Sequence, residues 1–272
     1  MMRALYTAAT GMTAEQTNVD TIANNLANVN TTGYKTERTE FKSLLYQEIQ
    51  TMTTSANGQN KPIGAQAGLG VRVAANSSLY TQGSLTETGN LTDFAIDGDG
   101  FFAVRGLDGQ TYFTRNGNFT WSLDADGNTI LASQDGYPVL DTTGNVIAVP
   151  DGISAEELVF NPDGSIYYVT NDGTSVNMNQ TMALYQFSNP AGLEKMADSL
   201  LAQTPASGAA MLEVATPGLT QSELHQGYME GSNVSVADEM VNMIIAQRAY
   251  ELNSKAITTA DSMLDTANNL KR

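Results

Sequence analysis

Two short acidic stretches carry the ligand types of a calcium loop, Asp97-Gly98-Asp99-Gly100 and Asp124-Ala125-Asp126-Gly127-Asn128. An EF-hand loop needs alternating oxygen ligands, a glycine directly after the third, and a glutamate six residues beyond that glycine. With Asp124, Asp126 and Asn128 as ligands, Thr129 takes the glycine position and Asp135 the glutamate position. No helical pattern flanks the stretch. Both segments read instead as hairpin turns, because Asp-Gly tolerates the positive φ that such turns require. Neither a metal nor any other cofactor is expected.

Other reactive residue types are equally isolated. His225, in SELHQGYMEG, has no second histidine or cysteine to share a metal and no marked nucleophile nearby. Glu156 and Glu157 have the residue types of a glycosidase acid pair, but a chain with 29 acidic residues holds such pairs by chance. Trp121 and several tyrosines occupy strand-like positions, where core packing is their ordinary role. There is no phosphate-binding glycine loop, dinucleotide fingerprint or nucleophile elbow. The chain reads as a non-enzyme.

Composition points toward protein contact instead. Hydrophobic residues make up 41% of the 272, enough for a core, but charged residues only 15%, against a usual share of about 25%. The polar surface must therefore consist largely of Asn, Thr, Ser, Gln and Gly, neutral hydrogen bonders suited to contact with other protein. A net charge of −16 argues against nucleic acid, whose phosphates need a basic face. With no cysteine, neither disulfides nor thiolate metal sites are possible. The opening MMRALYTAATGMTAEQ lacks the apolar run of a cleaved signal, and no segment approaches the length of a membrane-spanning helix. By those rules alone the chain is expected to be cytosolic, unless it uses an export route without a cleaved signal.

The elements that position these residues divide into two kinds. Ten Asn-Gly or Asp-Gly pairs lie between Asn57 and Gly173, and none lie outside that span. Between them run short β-branched or aromatic segments such as FFAVRG, TYFTR, FTWSL and SIYYVT, so an antiparallel β domain is expected over 79–229. The ends read as helices. Leu5, Met12, Val19 and Leu26 recur every seven residues, with Ala8 and Ile22 between them, as a coiled-coil-like seam. The opposite face, Thr7, Gly11, Ala14, Asn18, Thr21 and Asn25, is small and uncharged, as if prepared for close approach by other helices. At the C-terminal end Val236, Met243, Tyr250, Ile257 and Leu264 form a second heptad stripe. A further stripe of Val241, Ile245, Leu252, Ala256, Met263 and Leu270 lies roughly opposite. A helix apolar on two faces must be covered on both. One terminal helix covers one stripe, and other copies of the chain are expected to cover the second. Ser232 and Asn233, or Ser235 with Asp238, offer N-cap chemistry ahead of this run.

The stretch NNLANVNTTGYK (residues 24–35), preceded by LYTAATGM, resembles the N-terminal signature of the bacterial flagellar rod and hook family. LHQGYMEGSNVSVADEMVNMIIAQRAYELNSKAITTADSML is similar to the matching C-terminal signature, and IDGDGFFAV and YFTRNGNF to the family's β-domain motifs. Length, FKSLLYQEI after the signature and GLGVRV before the β domain align it with the distal-rod type, with the proximal rod and hook types as near alternatives. The resemblance implies an α+β fold, with terminal helices 1–35 and 230–272 pairing as a coiled coil, an extended connector 36–78 and an inserted antiparallel β domain 79–229. It implies a structural subunit of a helical homopolymer, a hollow shaft carrying torque from motor to hook. The implied partners are other copies of the chain, proximal rod proteins, the hook protein, the flagellar export apparatus and rings surrounding the shaft. The implied location is the basal body, outside the cytoplasmic membrane.

The residues expected at subunit interfaces are Leu5, Met12, Val19, Ile22, Asn24, Leu26 and Asn28, together with Val236, Met243, Ile245, Tyr250, Leu252, Ile257 and Leu264. Asn24 and Asn28, four apart, share a helix face, and their amides can bridge subunits without burying charge. Asn30, Gly33 and Tyr34 are expected to form the turn that closes the helix. Residues 46–70, polar and Gly-rich, are expected to order only against neighbouring subunits. A secreted binding module with helical arms is the alternative of a different class.

Overall fold

The computed structural model describes residues 2–50, 65–124, 127–150, 153–169 and 175–270. The chain is α+β, with two long helices at its ends and a β-rich middle. It divides into two compact units, one made of 1–27, 37–78 and 235–272, the other of 28–36 and 79–234.

In the first unit, α1 (Met2–Ala27) and α2 (Val236–Asn269) pack together with a β ribbon. α1 is unusually rich in threonine for a helix. Thr7, Thr13, Thr17 and Thr21 each donate a hydroxyl hydrogen bond to the carbonyl four residues back, which satisfies them without leaving the helix. α2 is capped by Ser235, whose hydroxyl accepts from the Asp238 amide, and Asp238 and Glu239 place negative charge in its first turn. Asn233, the other capping candidate, is used elsewhere.

The ribbon pairs β1 (Glu37–Ser43) with β4 (Val71–Ser78), and β2 (Tyr46–Gln50) with β3 (Ala65–Gly68), all antiparallel. The expected connector thus folds back on itself as paired strands over its described parts. Residues 51–64, the centre of the stretch expected to order only in a polymer, lie outside the described residues.

Both faces of α1 contribute to the interior, each only in part. Ala14, Thr21 and Asn25 of the small face are buried, and a Cβ added to Gly11 would come within 2.8 Å of the Asn253 amide. Leu5, Met12, Val19 and Leu26 are only half-buried; Ala8 and Ile22 are buried. Small side chains let backbones approach, and Thr and Asn can be buried because the chain itself supplies partners. Thr39 donates to Thr21 at 2.9 Å. Asn25 donates to the Glu37 carbonyl at 2.8 Å, accepts from the Glu37 amide at 2.9 Å, and donates to Glu239 at 3.2 Å.

The second unit is antiparallel throughout its described strands. A six-stranded sheet runs in the spatial order 194–195, 201–202, 111–114, 101–105, 184–186, 211–212, and a three-stranded sheet joins 158–160, 165–169 and 175–181. Strand Phe101–Arg105 lies between two cores. Phe102 and Val104 enter one, with Phe94, Phe119 and Leu131. Phe101 and Ala103 enter the other, with Phe113, Leu140 and Phe187. A strand buried on both faces reads as a continuous apolar run rather than an alternation, which explains FFAV.

Candidate functional site

The Asp97–Gly100 turn faces a cation that belongs to the protein. Arg115 donates to the carbonyl of Gly98 at 2.6 Å, to that of Ile96 at 3.2 Å, and to that of Gly100. These carbonyls are satisfied by a guanidinium of the chain itself. His225 pairs with Ala95 in a two-stranded ladder, its ring edge-on to Tyr228 at 5.9 Å. Trp121 packs against the first core. Among the described residues no group of three acidic, histidine or cysteine side chains could hold a metal.

Among the described residues of the second unit, Lys35, Arg115 and Glu230 form a buried ion cluster. Lys35 Nζ reaches Glu230 Oε1 at 2.7 Å, and Arg115 Nε reaches Oε2 at 2.6 Å, with all three side chains at most 6% exposed. The carboxylate also accepts from the Gly83 amide at 2.8 Å. Lys35 donates to the Thr81 carbonyl at 2.8 Å, and the Glu230 carbonyl accepts from the Gly33 amide at 2.9 Å. Asn233 adds a second bridge, accepting from the Thr36 amide and hydroxyl at 2.8 and 2.7 Å while donating to the carbonyls of Leu79 and Thr81. The segment that follows α1, the loop around residues 79–83 and the chain leading to α2 are thereby fastened together.

Burial works to raise the Glu230 carboxyl, but Arg115 and then Lys35 overcome it and hold the group below its ordinary 4.5. Burial pulls the Lys35 ammonium below its ordinary 10.5, with Glu230 opposing. A carboxyl depressed in the folded state stabilises above its unfolded pKa and loses that contribution as pH falls through its folded pKa. The melting temperature of the β unit should therefore be insensitive to Glu230 above pH about 5 and fall below about 4.5. Glu230→Gln should flatten part of this acid limb in melts followed by circular dichroism between pH 3 and 7.

Gly33 takes φ +69°, and a Cβ there would lie 2.8 Å from the Arg115 carbonyl carbon. Its place is fixed by close approach to the strand end that carries Arg115, six residues beyond the last residue of α1. Gly33→Ala should cost about 1–3 kcal/mol in urea unfolding, from the left-handed backbone and the displaced contact together. An unchanged midpoint would mean the segment can lift away freely.

The other expected residues are placed as follows. Asn24 and Asn30 are exposed, while Asn28 and Tyr34 are half-buried. Thr31 donates to the Asn28 side chain at 3.0 Å and to its carbonyl at 3.1 Å, closing a turn, and the Tyr34 carbonyl accepts from Asn233. The deeply buried asparagine of the signature is Asn25, only 1% exposed. On α2, Met243, Ile257 and Leu264 are half-buried, whereas Val236 and Tyr250 remain exposed. Ile245 and Leu252 stand out in solvent at 61% and 67%, in line with exposed Val241, Met263 and Leu270. Lys35, Arg115 and Glu230 were not singled out by spacing, and Asn233 was expected only as a helix cap, though each lies inside one of the quoted family motifs.

Residues 5–35 match the model of the flagella basal body rod protein, residues 95–168 that of the flagellar hook protein FlgE/F/G D1 domain, and residues 225–270 that of the flagellar basal body rod FlgEFG protein C-terminal. The chain is 44% identical to the flagellar basal-body rod protein FlgG of Borreliella burgdorferi, over 100% of both chains. It is 43% identical to that of Agrobacterium fabrum over 99% of this chain and 100% of the other. The Bacillus subtilis protein of the same name is 36% identical over 100% of both. The chain belongs to the flagellar basal-body rod protein family. It is a structural subunit of the flagellar rod and is located in the basal body. In this rod protein the matched N-terminal segment ends on Lys35 and the matched C-terminal one contains Glu230, so the ion cluster joins the two matched segments within one unit. None of its described helices is long and apolar enough to cross a membrane.

Proposed function

We propose that this rod protein builds the distal part of the rod, polymerising helically into a hollow shaft that passes torque from motor to hook. The observation that carries this reading is the uncovered apolar stripe of α2, Val241, Ile245, Leu252, Met263 and Leu270, on a helix already covered elsewhere by α1. An exposed stripe of this length calls for a partner, and in a rod subunit the nearest partner is another copy. The terminal segments, expected as 1–35 and 230–272 and helical over α1 and α2, act as a coiled-coil-like pair lining the shaft, with the 37–78 ribbon beside them leading into the β domain. Leu5, Met12, Val19, Leu26, Asn24 and Asn28 on α1 and Val236, Tyr250, Ile245 and Leu252 on α2 supply the contacts between copies, and Ile22, Met243, Ile257 and Leu264 hold the pair together. Proximal rod proteins, the hook protein, surrounding rings and the export apparatus are its further partners, the last supplying an exit that needs no cleaved signal.

Sedimentation velocity over about a hundredfold concentration range spanning a micromolar Kd tests the reading. The weight-average mass should climb with concentration and should not climb for a chain lacking residues 236–270. A full-length chain that stays monomeric throughout would favour the secreted binding module with helical arms.

A further inference from the structure

The two sides of α2 are not equivalent. At about 100° per residue, Val241, Ile245, Leu252, Ala256, Met263 and Leu270 fall within about 60° of one another, forming a raised apolar line. About 160° round the helix, Gln247, Tyr250 and Glu251 join Gln16 and Val19 of α1 around an open groove. The groove has a volume of about 390 Å³, room for several aliphatic side chains. Beyond the first turn, where Asp238 shares the line's side, charge divides in a similar way: Arg248 and Lys255, the only bases of α2, lie along one edge of the line, while Glu251, Asp261 and Asp265 lie nearer the groove side. Among the described residues an ion pair joins the two sets, Arg248 to Glu251 at 2.7 Å; it is exposed, so it contributes little and exchanges partners readily.

We propose that the apolar line of one copy seats in the Gln16–Val19–Tyr250 groove of the next, with Arg248 and Lys255 facing the acidic groove side of that neighbour. This rests on the rod-subunit reading and specifies its contact. Because line and groove are different surfaces on roughly opposite flanks of one helix, the contact is heterologous. Each seated copy offers a fresh groove, so the contact repeats without closing, which is the requirement for an open helical polymer rather than a two-fold dimer. The neutral Gln16 and Gln247 at the groove rim hydrogen-bond across the contact without burying charge.

The absence of cysteine permits a direct test in the full-length chain. Single variants Ile245→Cys and Ala256→Cys mark the line, and Gln16→Cys and Gln247→Cys mark the groove. Each variant alone and every mixture of two is treated with a short bis-maleimide under conditions where the chain sediments as polymer. Line-with-groove mixtures should give covalent dimer at least about tenfold above line-with-line or groove-with-groove samples, the ratio expected of a contact preferred by a single factor of ten. Line-with-line dimer in excess would overturn the proposal in favour of a two-fold contact. Polymer with no line-with-groove adduct would overturn it while leaving self-assembly intact. Chains that never sediment above monomer would overturn both this contact and the rod-subunit reading on which it rests.

Discussion

Glu230→Ala should destabilise the β unit by about 3–5 kcal/mol, the usual cost of breaking a buried ion pair by removing one partner. The reason is what it leaves behind. Lys35 and Arg115, both 6% exposed, would face each other without the carboxylate that neutralises them. A typical domain has only about 5–15 kcal/mol in reserve, so the variant should be close to unfolding at ambient temperature. Lys35→Met should be milder, about 1–2 kcal/mol, because Arg115 continues to compensate Glu230 and the methionine fills the lysine's apolar path. Urea unfolding followed by the fluorescence of Trp121, which packs against the first core, measures both. Equal losses would show that Lys35, rather than Arg115, is the partner on which the carboxylate depends.

The second large effect concerns assembly rather than folding. Ile245→Asp should leave the isolated chain within about 0.5 kcal/mol of its parent, since surface changes away from packed features are near neutral and Ile245 is 61% exposed. In the proposed contact between copies the same position is covered. Losing its burial costs about 1.5–3 kcal/mol, and a carboxylate in a dry contact adds to that. The concentration needed for polymer should rise about a hundredfold or more. Light scattering or sedimentation, with circular dichroism as a folding control, reads the two quantities separately. Assembly at the parent concentration would show that this stripe faces solvent in the rod. Met243 is a poorer place for such a charge, because it is half-buried within the unit and folding would change together with assembly.

The sequence alone determined that long helices at the two ends enclose a β-rich middle, though it left the paired strands of 37–78 as an extended connector. Heptad recurrence over residues 5–26 and 236–264 marked the helices, and Asn-Gly and Asp-Gly spacing marked the β region, because helical and turn periodicities are local properties of the chain. It also determined the family, through motifs at both ends and in the middle. Tertiary structure decided how the two faces of α1 share the interior. Period-seven leucine and methionine look like core, yet Gly11, Ala14, Thr21 and Asn25 are placed inward too, because Asn253, Thr39, Glu37 and Glu239 arrive from distant sequence to meet them. The same holds for the signature. Counting four residues along a helix selects Asn24 and Asn28, but Asn25 is the buried one, since a backbone partner twelve residues away is invisible to helical periodicity. Lys35, Arg115 and Glu230 are 80 and 115 residues apart along the chain. Nothing local sets a lysine in a turn against a glutamate at a strand end. Only the fold brings the two cations to one carboxylate, and low solvent exposure is what turns three ordinary charges into a clasp.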